Sequence, residues 1–178
     1  MKNPVMKCFL MLVLTAAILF GLSTALEGTA QKNAAAVDQA VMEALLPGST
    51  EFAPEEYVGD DANIRSVQKG QTGFVVTVST HGYVDEITMM VGVSNEGTVT
   101  GLVVTDQHET SGLGGKILTD VDFLGQFLYG GTVEVGTDVD AITGATVTSK
   151  AVARCVNSAV AFVTGADVSS SATEWGNW

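Results

Sequence analysis

Asp140-Ala141-Ile142-Thr143-Gly144-Ala145-Thr146-Val147-Thr148-Ser149 runs without a break into a helical pattern, and the rest of the chain takes its meaning from that junction. After the Gly-Ala pair, Val152, Val156, Ala159, Val160 and Val163 recur at the spacing of one helix face, which predicts a helix ending at Gly165. Thr146 then stands at the helix start. The first turn of a helix carries backbone N–H groups with no partner and the positive end of the macrodipole, so a phosphate placed there is stabilised without further machinery. Lys150, one turn along, adds a cation. The same string also reads as a plain helix cap, with Thr143 or Thr146 as N-cap and Gly144 easing the turn.

Upstream of this junction the period changes from helical to alternating. Strands begin near Gly73, where Phe74, Val76 and Val78 alternate with Val75, Thr77 and Ser79. His81-Gly82 offers a turn before Tyr83, and the next run sets Ile87, Met89, Val91 and Val93 on one face. Ser94-Asn95-Glu96-Gly97 turns into Val99, Leu102, Val103 and Val104. Connections this short join antiparallel neighbours, so the region is a meander of at least three strands. Met89 and Met90 read as core filler.

Directly after the third strand comes His108-Glu109-Thr110-Ser111-Gly112-Leu113-Gly114-Gly115-Lys116. A loop rich in glycine, hydroxyl and charged groups at a strand end suits close backbone approach to a flat ligand, although a flexible turn has the same composition. Val121 to Tyr129 is expected to form a short helix, and Thr132 to Val135 a last short strand leading to the 140–149 string.

At the other end, residues 8–26 read CFLMLVLTAAILFGLSTAL, with no charge in nineteen positions. At 1.5 Å per residue a helix of that length spans about 28 Å, close to the hydrocarbon thickness of a bilayer. The alternative is a secretory signal peptide cleaved near Ser23-Thr24-Ala25; the length of the apolar run favours the anchor. Lys2 and Lys7 precede the run and Glu27 follows it, which puts the N-terminus in the cytoplasm and the bulk of the chain outside. Ala34 to Leu46 predicts a helix closed by Pro47-Gly48, and the acidic stretch Glu51 to Asp61 a surface loop. The Ser-rich tail from Ala166 carries Trp175 and Trp178, residues suited to a membrane interface, a partner or a disordered end.

Composition narrows the chemistry. From Glu27 onward six Lys and Arg stand against twenty Asp and Glu, a balance of −14 that repels phosphate backbones and argues against nucleic-acid binding. Two cysteines, Cys8 and Cys155, with no CxxC, exclude a four-cysteine iron–sulfur or zinc site within the chain. With only His81 and His108 as histidines, no metal-binding residues are expected, and no hydrolase motif is present, so no catalytic residues are assigned. If this chain moves electrons, an organic cofactor carries them.

The string Asp-Ala-x-Thr-Gly-Ala-Thr-x-Thr-Ser resembles the flavinylation motif of the covalent FMN-binding domain family, which includes the G subunit of the Rnf ferredoxin:NAD oxidoreductase and the C subunit of the sodium-translocating NADH:quinone reductase. Glu109-Thr110-Ser111-Gly112-Leu113-Gly114 resembles the Glu-Thr-Pro-Gly-Leu-Gly loop of that family, with Ser111 in place of proline, and the Gly82-Tyr83, Val91-Gly92-Val93, Gly97 and Gly101 pattern also matches. Members often have serine at the position of Thr143. The likeness covers Gly82 to Val163.

This resemblance implies that a flavin transferase moves FMN from FAD onto the hydroxyl of Thr146 and leaves a phosphoester. Thr143, Gly144, Ala145, Thr148 and Ser149 would form the phosphate turn; Asp140, Gly144, Ala145 and Thr146 would be read by the transferase; Glu109, Thr110, Gly112, Leu113 and Gly114 would contact the flavin. It implies an electron-transfer subunit of an ion-translocating membrane complex of the Rnf type, passing electrons from ferredoxin toward NAD coupled to Na+ or H+ export, with the other membrane subunits as partners. The C subunit of the quinone reductase is the second reading, and an anchored extracytoplasmic binding module without redox chemistry the third. The expected fold is α+β: a cytoplasmic N-terminus at 1–7, a transmembrane helix at 8–26, an extracytoplasmic helix and linker at 27–72, an FMN-binding domain with an antiparallel sheet and packed helices at 73–165, and a tail at 166–178.

Overall fold

The computed structural model describes residues 36–112 and 114–166. The 8–26 run, Leu113 and the tail with its two tryptophans lie outside the described residues, and among those described no helix is long and apolar enough to cross a membrane. All strands belong to the second of the two units into which the chain divides, Val41–Trp178.

Five strands, β1 (Ala53–Glu55), β2 (Ile64–Lys69), β3 (Gly73–His81), β4 (Glu86–Ser94) and β5 (Val99–Gln107), form one antiparallel sheet in sequence order. The β3–β4 hairpin runs from Gly73 opposite Ser94 to His81 opposite Glu86 and closes through Gly82–Asp85, whose ends are joined by Gly82 N–H donating to Asp85 O. The expected meander is present and two strands longer. β1 and β2 fall in the region read as loop and linker, because Ile64 and Val67 are the only apolar side chains of β2 and all of β1 is exposed. These segments extend because β3 offers a paired edge, a condition no local pattern records. Pro54 sits in the edge strand β1, where a missing N–H is tolerated.

Alternation sends Val76, Val78, Met89, Val91 and Val93 to one face, which is covered by α4, Thr146–Thr164. The other face is narrower. There Leu45 and Leu46, at the end of α1 (residues 36–45), pack on Val75 with Met90 and Val103 alongside, so the neighbours Met89 and Met90 fill opposite layers. Gly92 and Gly101 face each other across β4 and β5, and a Cβ at Gly101 would stand 2.9 Å from Leu45 Cα; the helix end rests directly on backbone.

α4 is buried more fully than its apolar stripe predicts. Twelve of its residues are buried, polar Thr148, Ser149, Asn157 and Ser158 included. The reason is a second layer: Phe123, Phe127, Val133 and Val139 belong to the same core, and the Phe123 and Phe127 rings meet edge to face at 5.4 Å. The buried polar groups are tolerated because they are paired. Asn157 accepts from Val133 N–H at 2.8 Å and donates to Val133 O at 2.9 Å. That side chain occupies both main-chain groups a ladder would need, and Gly136 turns at φ +94, so the expected strand at Thr132 to Val135 reduces to an isolated Val135–Val139 bridge.

The helix expected over Val121 to Tyr129 is shorter. α2 (Gly114–Ile117) precedes α3 (Val121–Gly125), whose N-cap Asp120 accepts from Asp122 and Phe123 N–H, and Tyr129 at φ 63 is already out of helix, its N–H donating to Val99 O. α4 stops at Gly165, which takes the left-handed conformation at φ 69, as expected of a C-terminal glycine.

Candidate functional site

The 140–149 string folds into a turn that delivers a bare helix end. Ala145 N–H donates to Ile142 O, Gly144 sits at φ 84, and Ala145, the N-cap, has no side chain to offer the first turn. The cap reading of Thr143 and Thr146 is therefore corrected: neither hydroxyl caps α4, because Ala145 occupies the capping position and Thr146 is already the first helical residue. Ser149 N–H, bonding Ala145 O, is the first amide of the helix with a partner of that kind. The amides of Thr146, Val147 and Thr148 come before it and hold the positive end of the dipole.

The hydroxyls of this string separate into two kinds. Ser149 is fully buried and its hydroxyl donates to Ala145 O at 3.0 Å; Thr148 is 1% exposed and its hydroxyl donates to Glu109 Oε2 at 3.0 Å. Thr143 and Thr146 are exposed. Only Thr146 of this exposed pair lines the adjoining cleft of about 360 Å³.

One wall of the cleft is Gly144 to Thr148, and the other is Tyr83, Glu109, Thr110 and Gly114. Glu109, 8% exposed, joins the walls. Its Oε1 accepts from Tyr83 N–H at 2.8 Å and Val84 N–H at 3.0 Å, while Oε2 takes the Thr148 hydroxyl. Gly82 and Gly114 are small because of this carboxylate: a Cβ on Gly114 would lie 2.5 Å from Oε2 and 2.8 Å from Thr148 Oγ1, and one on Gly82 would run into Oε1.

Of the expected site residues, Thr146, Gly144, Ala145, Thr148, Glu109, Thr110 and Gly114 come together around this space. Gly112 stands exposed at φ 90 with open space around it, outside the lining, and Leu113 is not among the described residues. Thr143 and Ser149 flank the cleft without lining it. Asp140 is exposed, and its main-chain N–H donates to Gln126 Oε1. Sequence reading missed Tyr83, whose 70% exposed side chain stands on the cleft wall; the signal it did carry was a large aromatic placed in a hairpin turn just after Gly82.

Cys155 is fully buried in α4, and burial pushes its thiol up to about 12, a little offset by the neighbouring Arg154. Full burial and the raised value make it a packing residue rather than a reactive thiol. Burial lowers the Arg154 guanidinium from its usual value, and one of its nitrogens donates to His81 O at 3.1 Å.

A cleft of this size is in the range of cofactor sites. Its helix N-terminus suits a phosphate, its exposed hydroxyl suits esterification, and its aromatic wall suits a flat ring.

Residues 82–161 match the family described as FMN-binding domain. The chain is 36% identical over 95 residues to the G subunit of the Na(+)-translocating ferredoxin:NAD(+) oxidoreductase complex of Acetobacterium woodii, covering 48% of this chain and 46% of that protein. It is 34% identical over 137 residues to the G subunit of the ion-translocating oxidoreductase complex of Methanosarcina acetivorans, covering 68% and 72%, and 40% identical over 89 residues to that of Escherichia coli K12, covering 44% and 43%. Against the Acetobacterium woodii protein the match thus spans about half the length of the relative. Among solved structures, Shewanella oneidensis NqrC superimposes with a TM-score of 0.45 at 24% identity, covering 68% of each chain.

Proposed function

We propose that this chain, which belongs to the FMN-binding domain family that includes the G subunit of ion-translocating oxidoreductase complexes, is an electron-transfer subunit carrying FMN esterified to Thr146. The observation that carries the covalent assignment is the division of hydroxyls in the 140–149 string: Thr148 and Ser149 are buried and committed, Thr143 is off the cleft, and of these four Thr146 alone is exposed on the cleft wall. In the attachment step Thr146 Oγ bonds to the FMN phosphorus of FAD as the pyrophosphate bond breaks, AMP leaves with that bond's electron pair, and the hydroxyl proton passes to a base of the transferase. When bound, the flavin supplies the redox chemistry, and the protein orients and insulates it.

The chain's own residues have defined parts in this reading. The amides of Thr146, Val147 and Thr148 would hold the phosphodiester at the dipole end of α4, Gly144 at φ 84 leaves the turn open, and Tyr83 and Thr110 on the opposite wall would bound the ring. Asp140, exposed beside the turn, is available to the transferase. The uncharged run at 8–26 supports a single anchor, and the Lys2 and Lys7 asymmetry supports a flavin domain outside the cytoplasm, where a tether prevents loss of the cofactor. In that position the protein relays electrons between other membrane subunits of an Rnf-type complex, since neither ferredoxin nor NAD reaches it.

Mass spectrometry of the full chain produced with a flavin transferase tests the assignment. The parent gains the mass of FMN less one water, and Thr146→Ala gains none while remaining folded. An adduct that persists in Thr146→Ala, or is absent from the parent, overturns it.

A further inference from the structure

We propose that Glu109, although it lines the cleft, acts as a positioning residue: its carboxylate sets the separation between the β3–β4 turn and the first turn of α4, and so holds the wall bearing Thr146 open to the cofactor, its part being played through Tyr83, Val84 and Thr148 rather than through the flavin ring. This inference rests on the flavin reading of the cleft. It departs from the sequence-based expectation that Glu109 is a flavin contact.

Three of the carboxylate's roughly four acceptor sites are already taken by protein donors. Oε1 takes two amide donors, Tyr83 and Val84; Oε2 takes the Thr148 hydroxyl; and Gly82 and Gly114 close over the two oxygens so tightly that neither position has room for a methyl group. Only 8% of the residue is exposed. Its three partners lie on the two elements whose spacing defines the cleft, Tyr83 on one wall and Thr148 on the other, two residues from Thr146. Glu109 is itself braced, with its N–H donating to Gln107 Oε1 at 2.8 Å, so the clamp is anchored at the end of β5. Hydrogen bonds to a buried charge are the strong kind, and geometry held by three of them is fixed before any ligand arrives.

Glutamine is the diagnostic replacement. Its carboxamide oxygen can accept from the Tyr83 and Val84 amides while its NH2 donates to Thr148 Oγ1, so the clamp is preserved with the charge removed. Alanine removes the clamp altogether.

The test uses the full chain in two forms, made without flavin in a Thr146→Ala background and loaded with Thr146 intact. In the flavin-free form, Glu109→Ala should speed hydrogen exchange of the Tyr83 and Val84 amides by about tenfold or more, and Glu109→Gln should return it to the parent rate. In the loaded form, Glu109→Ala should cut the FMN-adduct fraction to less than half of the parent, and Glu109→Gln should restore both that fraction and the visible absorption and circular dichroism of the bound flavin. If Glu109→Ala does not fold, Thr148→Val, which removes one partner of three, should show the same directions with smaller size. Unchanged exchange in the flavin-free clamp variants overturns the inference. So does a Glu109→Gln protein with parent exchange but a displaced flavin spectrum, since that outcome makes Glu109 a flavin contact. A parent with no adduct defeats the flavin reading instead, while the exchange measurement still decides whether the clamp exists.

Discussion

The Thr148 hydroxyl donates to Glu109 Oε2 at 3.0 Å across 39 residues of sequence, and this contact joins the helix that bears Thr146 to the loop at the end of β5. It turns two short motifs into one cleft. Because both partners are nine-tenths buried, the bond forms where water cannot replace it, and its loss leaves a carboxylate short of a donor.

Gly114→Ala should be destabilising out of proportion to a single methyl group. The added Cβ would stand 2.5 Å from Glu109 Oε2 and 2.8 Å from Thr148 Oγ1, so the clamp must spread at a cost of about 1–3 kcal/mol. Gly125→Ala, in α3 with nothing within 4 Å, should instead be neutral or stabilising by about 0.5–1 kcal/mol. Urea denaturation of the two variants checks the contrast, and equal stabilities would contradict the packing described.

Asn157→Ala should release the segment before the 140–149 turn. The carboxamide satisfies both Val133 N–H and Val133 O in a buried setting, and its removal leaves them without partners, a loss of about 1–3 kcal/mol per orphaned group unless water enters. Proteolysis should then cut within residues 130–140 before the sheet, which limited digestion followed by mass analysis will show.

Alkaline stability should depend on Cys155. Its thiol titrates at about 12 in the folded chain against 9.0 for an unperturbed group, so the raised value adds stability that is whole below pH 9.0 and lost as pH climbs toward 12. The decline should not exceed about 1.4 kcal/mol per pH unit from this one proton. Cys155→Ala should flatten that slope in denaturation curves recorded from pH 8.5 to 11, although its cavity lowers stability at every pH. A slope that survives the substitution assigns the effect elsewhere.

Topology is open to a direct check. With Lys2 and Lys7 ahead of the apolar run, a C-terminal alkaline phosphatase fusion of the full chain should be active and a cytoplasmic reporter fusion silent. The reverse pattern would place the domain in the cytoplasm and contradict the proposed relay role.

Several elements were legible in residue order because their causes are local. The β3–β4–β5 meander follows from alternation and short turns, and α4 ends where it must because Gly165 accepts φ 69 without strain. The two site motifs were legible as resemblance, and the hydroxyl-rich turn at a helix start is visible in the residues alone. β1 and β2 were not legible, since Ile64 and Val67 carry too little alternation and these strands are extended by pairing with a neighbour. Nor was the last strand refused by local pattern: Asn157, 24 residues away, took the hydrogen-bonding groups of Val133. Residue order was therefore enough for a sheet-and-helix domain presenting several hydroxyls at a helix N-terminus. The fold sorts them: Thr148 is occupied by a carboxylate from another element and Ser149 by burial against its own turn, Thr143 is exposed off the cleft, and Thr146 is exposed on its wall. Spacing along the chain cannot encode that difference, which depends on what the fold brings alongside.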